Sequence, residues 1–226
     1  MKNEQLVIIG NGEFAEIAFE YFTHDSPYEV AGFAVDRAFV GNGKLYELPV
    51  IGIDELQERF PPAAFKIFVA VTFTQLNRLR TRLLQKARAL GYTPATYISS
   101  KAFVWHNAII GENCFIFENN VIQHHAAIDD NVVLWSGNHV GHRARIRANT
   151  FVSSHVVVSG YCDVGESCFL GVNSTLGDRV KVGNDCVIGA GAVILKNTEN
   201  DRIYRGNPAV AAGGSSRRLF GAEGGE

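Results

Sequence analysis

No stretch of this 226-residue sequence approaches the roughly 20 consecutive apolar residues that a bilayer-spanning helix needs. The opening MKNEQLVIIGNGE lacks a basic start followed by a removable apolar stretch, so a cytoplasmic location is expected and a membrane partner is not. Basic clusters are absent beyond Arg217-Arg218, and 21 basic residues stand against 23 acidic ones for a formal charge of −2. That balance argues against a nucleic-acid partner and directs attention to small molecules. Cysteine is scarce at four residues, too few for a disulfide framework and expected to stay reduced in a cytoplasm. Hydrophobic residues make up 46% of the chain, enough for one large domain or two small ones.

The chain has two grammars. Residues 1–98 alternate apolar runs with helix-like stretches, the pattern of a parallel sheet with crossover helices. Leu6-Val7-Ile8-Ile9 reads as a buried strand, Gly10-Asn11-Gly12 as a turn, and residues 13–22 as a helix. A second strand spans residues 30–35 and ends at Asp36; Ile53-Asp54-Glu55-Leu56 opens a short helix with Asp54 as its N-cap; a third strand spans 66–71. Residues 75–90 carry apolar side chains at helical spacing and stop at Gly91, and Thr96-Tyr97-Ile98 reads as a last strand.

From Val104 an aliphatic residue recurs every six positions without a gap, through Ile110, Ile116 and onward to Ile188 and Ile194. Four places after each sits a small or modest residue, such as Cys114, Asn120, Ala126 or Ser174. This period fits neither a helix nor ordinary hairpins. It describes a three-sided solenoid, one face and one corner per hexad, in which the aliphatic points inward, the small residue lets the chain turn, and positions one full coil apart stack as parallel strands.

These residues resemble the hexapeptide-repeat acyltransferases, and within them the sialic-acid O-acetyltransferase and bacillosamine N-acetyltransferase type. The resemblance rests on Gly10-Asn11-Gly12, Asp36, the hexads beginning at Val164, Leu170 and Ile188, and the late Gly206-Asn207-Pro208-Ala209. It implies a Rossmann-like nucleotide-sugar-binding domain (residues 1–98), a left-handed β-helix acyltransferase domain (99–212) and a tail (213–226) whose Gly and Ser content suggests mobility. It further implies a homotrimer, acetyl-CoA as co-substrate in a groove between neighbouring β-helices, and a nucleotide-linked amino sugar or related sugar beside a histidine of the adjacent chain.

Acetyl transfer to an amine or hydroxyl needs a base and donors for an oxyanion. Seven histidines are candidates, and His142, third in its hexad, falls in the phase where the resembled family keeps its base; His139 and His155 are reserves. The carboxylate that often follows this histidine in the resembled enzymes is replaced here by Arg143, leaving its orienting partner open. Stacking lines up His106, His124 and His142 and puts Gly160 one coil beyond His142, where the resemblance makes it a contact of the thioester. Carried over likewise, Val172 and Ala190 line the pantetheine groove, and Arg205 and Pro208 lie near the cofactor's far end. Gly10, Asn11 and Gly12 would meet the sugar nucleotide's phosphates, and Asp36 its base or ribose. No metal is called for. The cysteines, all at inward small positions, argue against an acyl-cysteine route. Two other readings remain: a metalloenzyme of the γ-carbonic-anhydrase type on the same fold, and a non-catalytic sugar-binding solenoid.

Overall fold

The computed structural model describes residues 2–206, which leaves Pro208 and the tail outside the described residues. The first apolar run becomes β1 (Glu4–Ile9), with Leu6, Val7, Ile8 and Ile9 all essentially without exposure. It is followed by α1 (Glu13–His24), β2 (Tyr28–Val35), β3 (Lys44–Leu45), β4 (Leu48–Gly52), α2 (Leu56–Arg59), β5 (Phe65–Val69) and α3 (Arg78–Ala89). The sheet order is β3-β4-β2-β1-β5, parallel except for β3, which runs antiparallel to β4 at the edge. This is a mixed α/β sheet, and its four parallel strands keep the β-α-β order read from the sequence.

Three local expectations need correction, and one element was not expected. The β3–β4 hairpin has no sequence signal, because its two-residue turn places Tyr46 and Glu47 at φ 49 and 61, where Asn or Gly is usual. Asp54 does not cap α2: the helix starts at Leu56 after Glu55, without a side-chain cap, and Asp54 instead accepts hydrogen bonds from Arg37. The helix expected from residue 75 starts at Arg78, since Gln75, Leu76 and Asn77 all take left-handed φ values of 53, 50 and 65. Tertiary contacts account for that: Asn77 is buried with its Nδ2 donating to the Cys168 carbonyl, and Phe73 packs edge-on against Phe151 and Phe169. Finally, Tyr97–Ile98 does not close the first sheet. It pairs with Phe115–Ile116 and so begins the coil, after Pro94 has bridged to Ile67 of β5.

The solenoid has three parallel sheets whose strands are two residues each. Partners such as Val121, His139 and Val157 stack in register, and polar ladders repeat the 18-residue offset, as in Asn113 to Asn131. The last coil is shorter, with offsets of 16 between Asn184 and Asn200, and Ile203–Tyr204 closes it against Val187–Ile188. Stacked parallel coils of hexapeptide repeats fit the left-handed β-helix. The inward ladder from Ile116 to Ile188 is buried throughout. The small residue is buried too, and the turn itself is made one position earlier, where Asn113, Asn119, Asn131, Asn149 and Asn173 take left-handed φ between 53 and 63. Asparagine tolerates that region at low cost.

The three faces differ outward. The covered face (Phe115, Val133, Phe151 and Phe169 among its outward side chains) lies against the N-terminal unit: Phe115 meets Phe14 at 5.4 Å, Phe68 at 5.4 Å and Tyr97 at 4.5 Å between ring centroids. The bare face exposes Phe103, Trp105, Val157, Val193 and Leu195. The charged face carries Arg145 with Asp129 and Arg147 with Asp163. Arg80 locks the two units together. It is 1% exposed and has no carboxylate partner among the described residues; its Nε donates to Asn131 Oδ1 (2.6 Å) and its Nη2 to the Asn113 carbonyl (2.6 Å), while its plane lies over Phe14 and Phe68. Burial pushes the guanidinium down to about 9, still protonated at neutral pH.

Candidate functional site

The strand order places β2 on one side of β1 and β5 on the other, so the chain leaves the ends of β1 and β5 in opposite directions. In open α/β sheets such a switch point forms a crevice outside the carboxyl ends of the strands. A cleft of about 330 Å³ lies there, lined by Gly10, Asn11, Gly12, Asp36 and Phe39 on one side and Ala70, Val71 and Thr72 on the other. Gly10 is required: its φ is 132, and a Cβ would stand 2.6 Å from the Ala70 carbonyl oxygen. Gly12 starts α1 with open space where a side chain would be, leaving the helix N-terminus accessible. Asn11 Nδ2 donates to the Phe39 carbonyl (2.8 Å), tying the turn to the loop after Asp36. Asp36 itself is exposed, with no side-chain cap bond to the short helix after it. The structure thus brings together all four residues expected to meet the nucleotide. The acidic Glu13 and Glu16 in the first turn weaken the pull of that helix end on an anion.

The three histidines do not come together. His139 is on the bare face between Val121 and Val157. His155 is on the corner between the covered and bare faces, its ring so close to Gly137 that a Cβ there would lie 2.5 Å from Nδ1. His142 is on the corner between the bare and charged faces, the one corner that does not border the covered face. Its imidazole stacks on His124 of the coil below (5.6 Å, 10° between planes) and meets the Tyr161 ring edge-to-face at 5.2 Å. Its backbone N–H donates to Gln123 Oε1 at 2.8 Å. Desolvation, and the neighbouring charges of His125, His142 and Arg143, hold His124 below the ordinary histidine range.

Gly160 lies directly over His142. A Cβ there would be 2.5 Å from Cε1 and 2.8 Å from Nε2 of the imidazole, so only glycine leaves the ring in place. Gly160 is buried, yet its N–H finds no acceptor among the described residues. A free N–H beside a histidine is what an oxyanion site requires. Val172 and Ala190 are exposed and lie on the opposite corner, stacked above Ser154, and Arg205 is exposed on the last coil. The expected cofactor residues therefore divide between the same two corners as the histidines. Sequence reasoning missed Tyr161 and, one coil beyond Gly160, Asp178, whose Oδ1 is 3.0 Å from the Cβ position of Gly160. Following the 18-residue column one step further would have found it.

All four cysteines are buried and free. Burial pushes the Cys114 and Cys168 thiols up to about 12 and raises Cys162 as well, so none of these three is a ready nucleophile. Among the described residues no group of three His, Cys, Asp or Glu side chains is placed to hold a metal ion, and no helix is long and apolar enough to cross a membrane.

Comparison with known proteins agrees with this geometry. The family described as bacterial transferase hexapeptide (six repeats) matches residues 161–196. The acetyltransferase domain of PglB from Neisseria gonorrhoeae is 30% identical, with a TM-score of 0.80 over 93% of this chain and 100% of that one. PerB from Caulobacter crescentus, solved in complex with CoA and GDP-perosamine, is 26% identical, with a TM-score of 0.77 over 88% of this chain and 92% of that one. No curated protein sequence matches. The chain belongs to the hexapeptide-repeat sugar acetyltransferases, and it is an enzyme of the acyltransferase class.

Proposed function

We propose that the protein transfers the acetyl group of acetyl-CoA to an amino or hydroxyl group of a nucleotide-linked sugar, by direct attack with His142 as general base. The N-terminal unit serves as a Rossmann-like holder, with the nucleotide in the switch-point cleft, phosphates toward Gly10, Asn11 and Gly12, and Asp36 at the base or ribose. Acetyl-CoA supplies an activated acyl group as a thioester; the buried, unpaired Gly160 N–H fits the oxyanion that its carbonyl develops. The PglB domain has been solved with acetyl coenzyme A, and PerB with CoA and a nucleotide amino sugar, which supports both substrate classes. A PerB structure with the same two ligands carries asparagine in place of a histidine.

One observation carries the reading: the cleft borders the covered face, while His142 with Gly160 stands on the corner farthest from it. A single chain cannot bring them together. A homotrimer with the bare faces turned inward places the covered–bare corner of one copy beside the bare–charged corner of the next, and the exposed apolar side chains of the bare face favour that burial. The seam then holds Gly160 from one copy and Val172 and Ala190 from its neighbour, a continuous track for pantetheine, with Arg205 toward its far end.

The test is transfer from labelled acetyl-CoA to a panel of nucleotide-linked amino sugars, with the wild type and His142→Ala. The variant is expected to lose about 100-fold or more in kcat. A loss below about tenfold would pass the base role to His139 or His155, which lie on the bare face and the covered–bare corner.

A further inference from the structure

We propose that His124 is a positioning residue for His142: its ring, one coil below, is the platform that fixes the plane of the base. The inference rests on the reading of His142 as general base and extends it.

A base works only within hydrogen-bond reach of the proton it removes, so its ring must be aimed. The χ2 torsion of histidine is broad and roughly two-fold, and the side chain does not aim itself. A hydrogen bond to one ring nitrogen is the usual remedy. Here Arg143 stands where an orienting carboxylate was expected, and neither ring nitrogen of His142 has a hydrogen-bond partner among the described residues. Its orientation must therefore come from packing.

Three groups supply that packing. The His124 ring lies 5.6 Å away between centroids and within 10° of parallel. Tyr161 meets the imidazole edge-to-face at 5.2 Å, and is itself covered by Arg179 at 4.4 Å. Gly160, on the coil above, comes so close that a Cβ there would stand 2.5 Å from Cε1. Of the three, only His124 offers a parallel face, and rotation about χ2 would turn the imidazole out of that contact. His124 is braced in turn. The His125 ring meets it at 5.5 Å and 73°, and the His125 backbone N–H donates to Asn107 Oδ1 at 2.9 Å. Gln123, its neighbour on the other side, accepts the His142 backbone N–H at 2.8 Å. One dipeptide of the lower coil thus holds both the backbone and the ring of the base.

The platform also suits the chemistry. His124 is kept below the ordinary histidine range, first by desolvation. A ring that resists protonation is the right support for one that takes up a proton, because like charges in a stack would oppose that step.

The experiment compares His124→Ala and His124→Phe with the wild type as intact protein, using acetyl-CoA and the nucleotide-linked amino sugar that the wild type acetylates fastest. His124 is exposed, so both variants are expected to fold, which circular dichroism checks. Alanine removes the platform: kcat should fall about tenfold, as small misplacements of reacting groups do, while KM for both substrates changes less than about twofold. Phenylalanine keeps a flat ring that cannot carry a proton, and should restore kcat to within about threefold of the wild type. A second readout needs no turnover. With isotope-labelled histidine, the ring C–H resonances of His142, assigned by their loss in His142→Ala, should shift and broaden in His124→Ala and stay sharp in His124→Phe.

Unchanged kcat, or unchanged His142 resonances, in the alanine variant would overturn the assignment. So would a phenylalanine variant as slow as the alanine one, since His124 would then act through its own nitrogens. A fully active His142→Ala would bring down the base reading and this inference with it. A wild type that acetylates no sugar would bring down the functional reading alone, and the resonances would still decide whether His124 holds the ring.

Discussion

The covered and bare faces of the β-helix are built from the same repeat, yet they have opposite fates. Both turn apolar side chains outward: Phe115, Phe151 and Phe169 on one, Phe103, Val157 and Val193 on the other. On the covered face the chain supplies its own partner, as α1, β5 and the 72–77 loop bring Phe14, Phe68 and Phe73 onto it. On the bare face nothing in the described chain does so, and Val193 and Leu195 remain 62% and 74% exposed. The hexad dictates only what points inward. Outward positions are free of the repeat, and their composition sets the three faces apart: one meets the N-terminal unit, one stays apolar and uncovered among the described residues, and one carries charges that meet water.

The largest effect should come from removing the centre of the covered face. Phe115 is fully buried and contacts six other rings in the cluster, those of Phe14, Tyr21, Phe22, Phe68, Tyr97 and Phe117. Phe115→Ala should cost about 3–5 kcal/mol in urea denaturation, the range for emptying a buried aromatic site. It should also loosen the cleft, because Phe14 lines it. A cost below about 1 kcal/mol would mean that the two units barely depend on each other.

On the bare face the same kind of deletion should leave the coil intact and break the assembly. Val193→Asp with Leu195→Asp changes two exposed side chains, so the circular dichroism spectrum should match the wild type. For the proposed homotrimer, sedimentation should show the mass falling from three chains to one, with acetyl transfer lost because the proposed base and the cleft of the neighbouring copy would no longer meet. An unchanged mass would refute assembly through this face.

How much of this could be read beforehand follows from which interactions were local. The inward ladder was legible because every period from Val104 to Ile194 is filled, and burial of an aliphatic at each step has no alternative partner. Half of the corners were legible in principle, where asparagine or glycine marks the left-handed residue; His125, Arg143, Tyr161 and Arg179 take the same conformation with no such sign. The 75–77 segment carries helical spacing and is nevertheless left-handed, since burying Asn77 against the coil outweighs local preference. The column arithmetic placed Gly160 over His142 correctly. It could not show that His142 and the cleft lie on different sides, because that depends on which face the N-terminal unit covers, and contacts such as Phe14 with Phe115 join residues far apart in sequence.

The charged face tests the third outcome, in which outward positions meet water, and here the expected effect is smallest. Arg147 Nε and Nη2 donate to the two Asp163 carboxylate oxygens at 2.8 and 2.9 Å. These hydrogen bonds hold the Asp163 carboxyl below the usual range; partial burial opposes the shift, and the charges of Arg147, Arg145 and Lys181 add to it. A depressed folded-state pKa contributes stability above the ordinary carboxylate value of about 4, and that contribution is lost as pH falls through the folded value. Because both partners are partly exposed, solvent screening limits it to about 0.5–1 kcal/mol. Asp163→Asn should therefore destabilise by that amount at pH 7 and by almost nothing at an acid pH low enough to protonate the folded wild-type carboxylate as well. Equal losses at both pH values would trace the cost to packing and place this face closer to the covered one than its charges suggest.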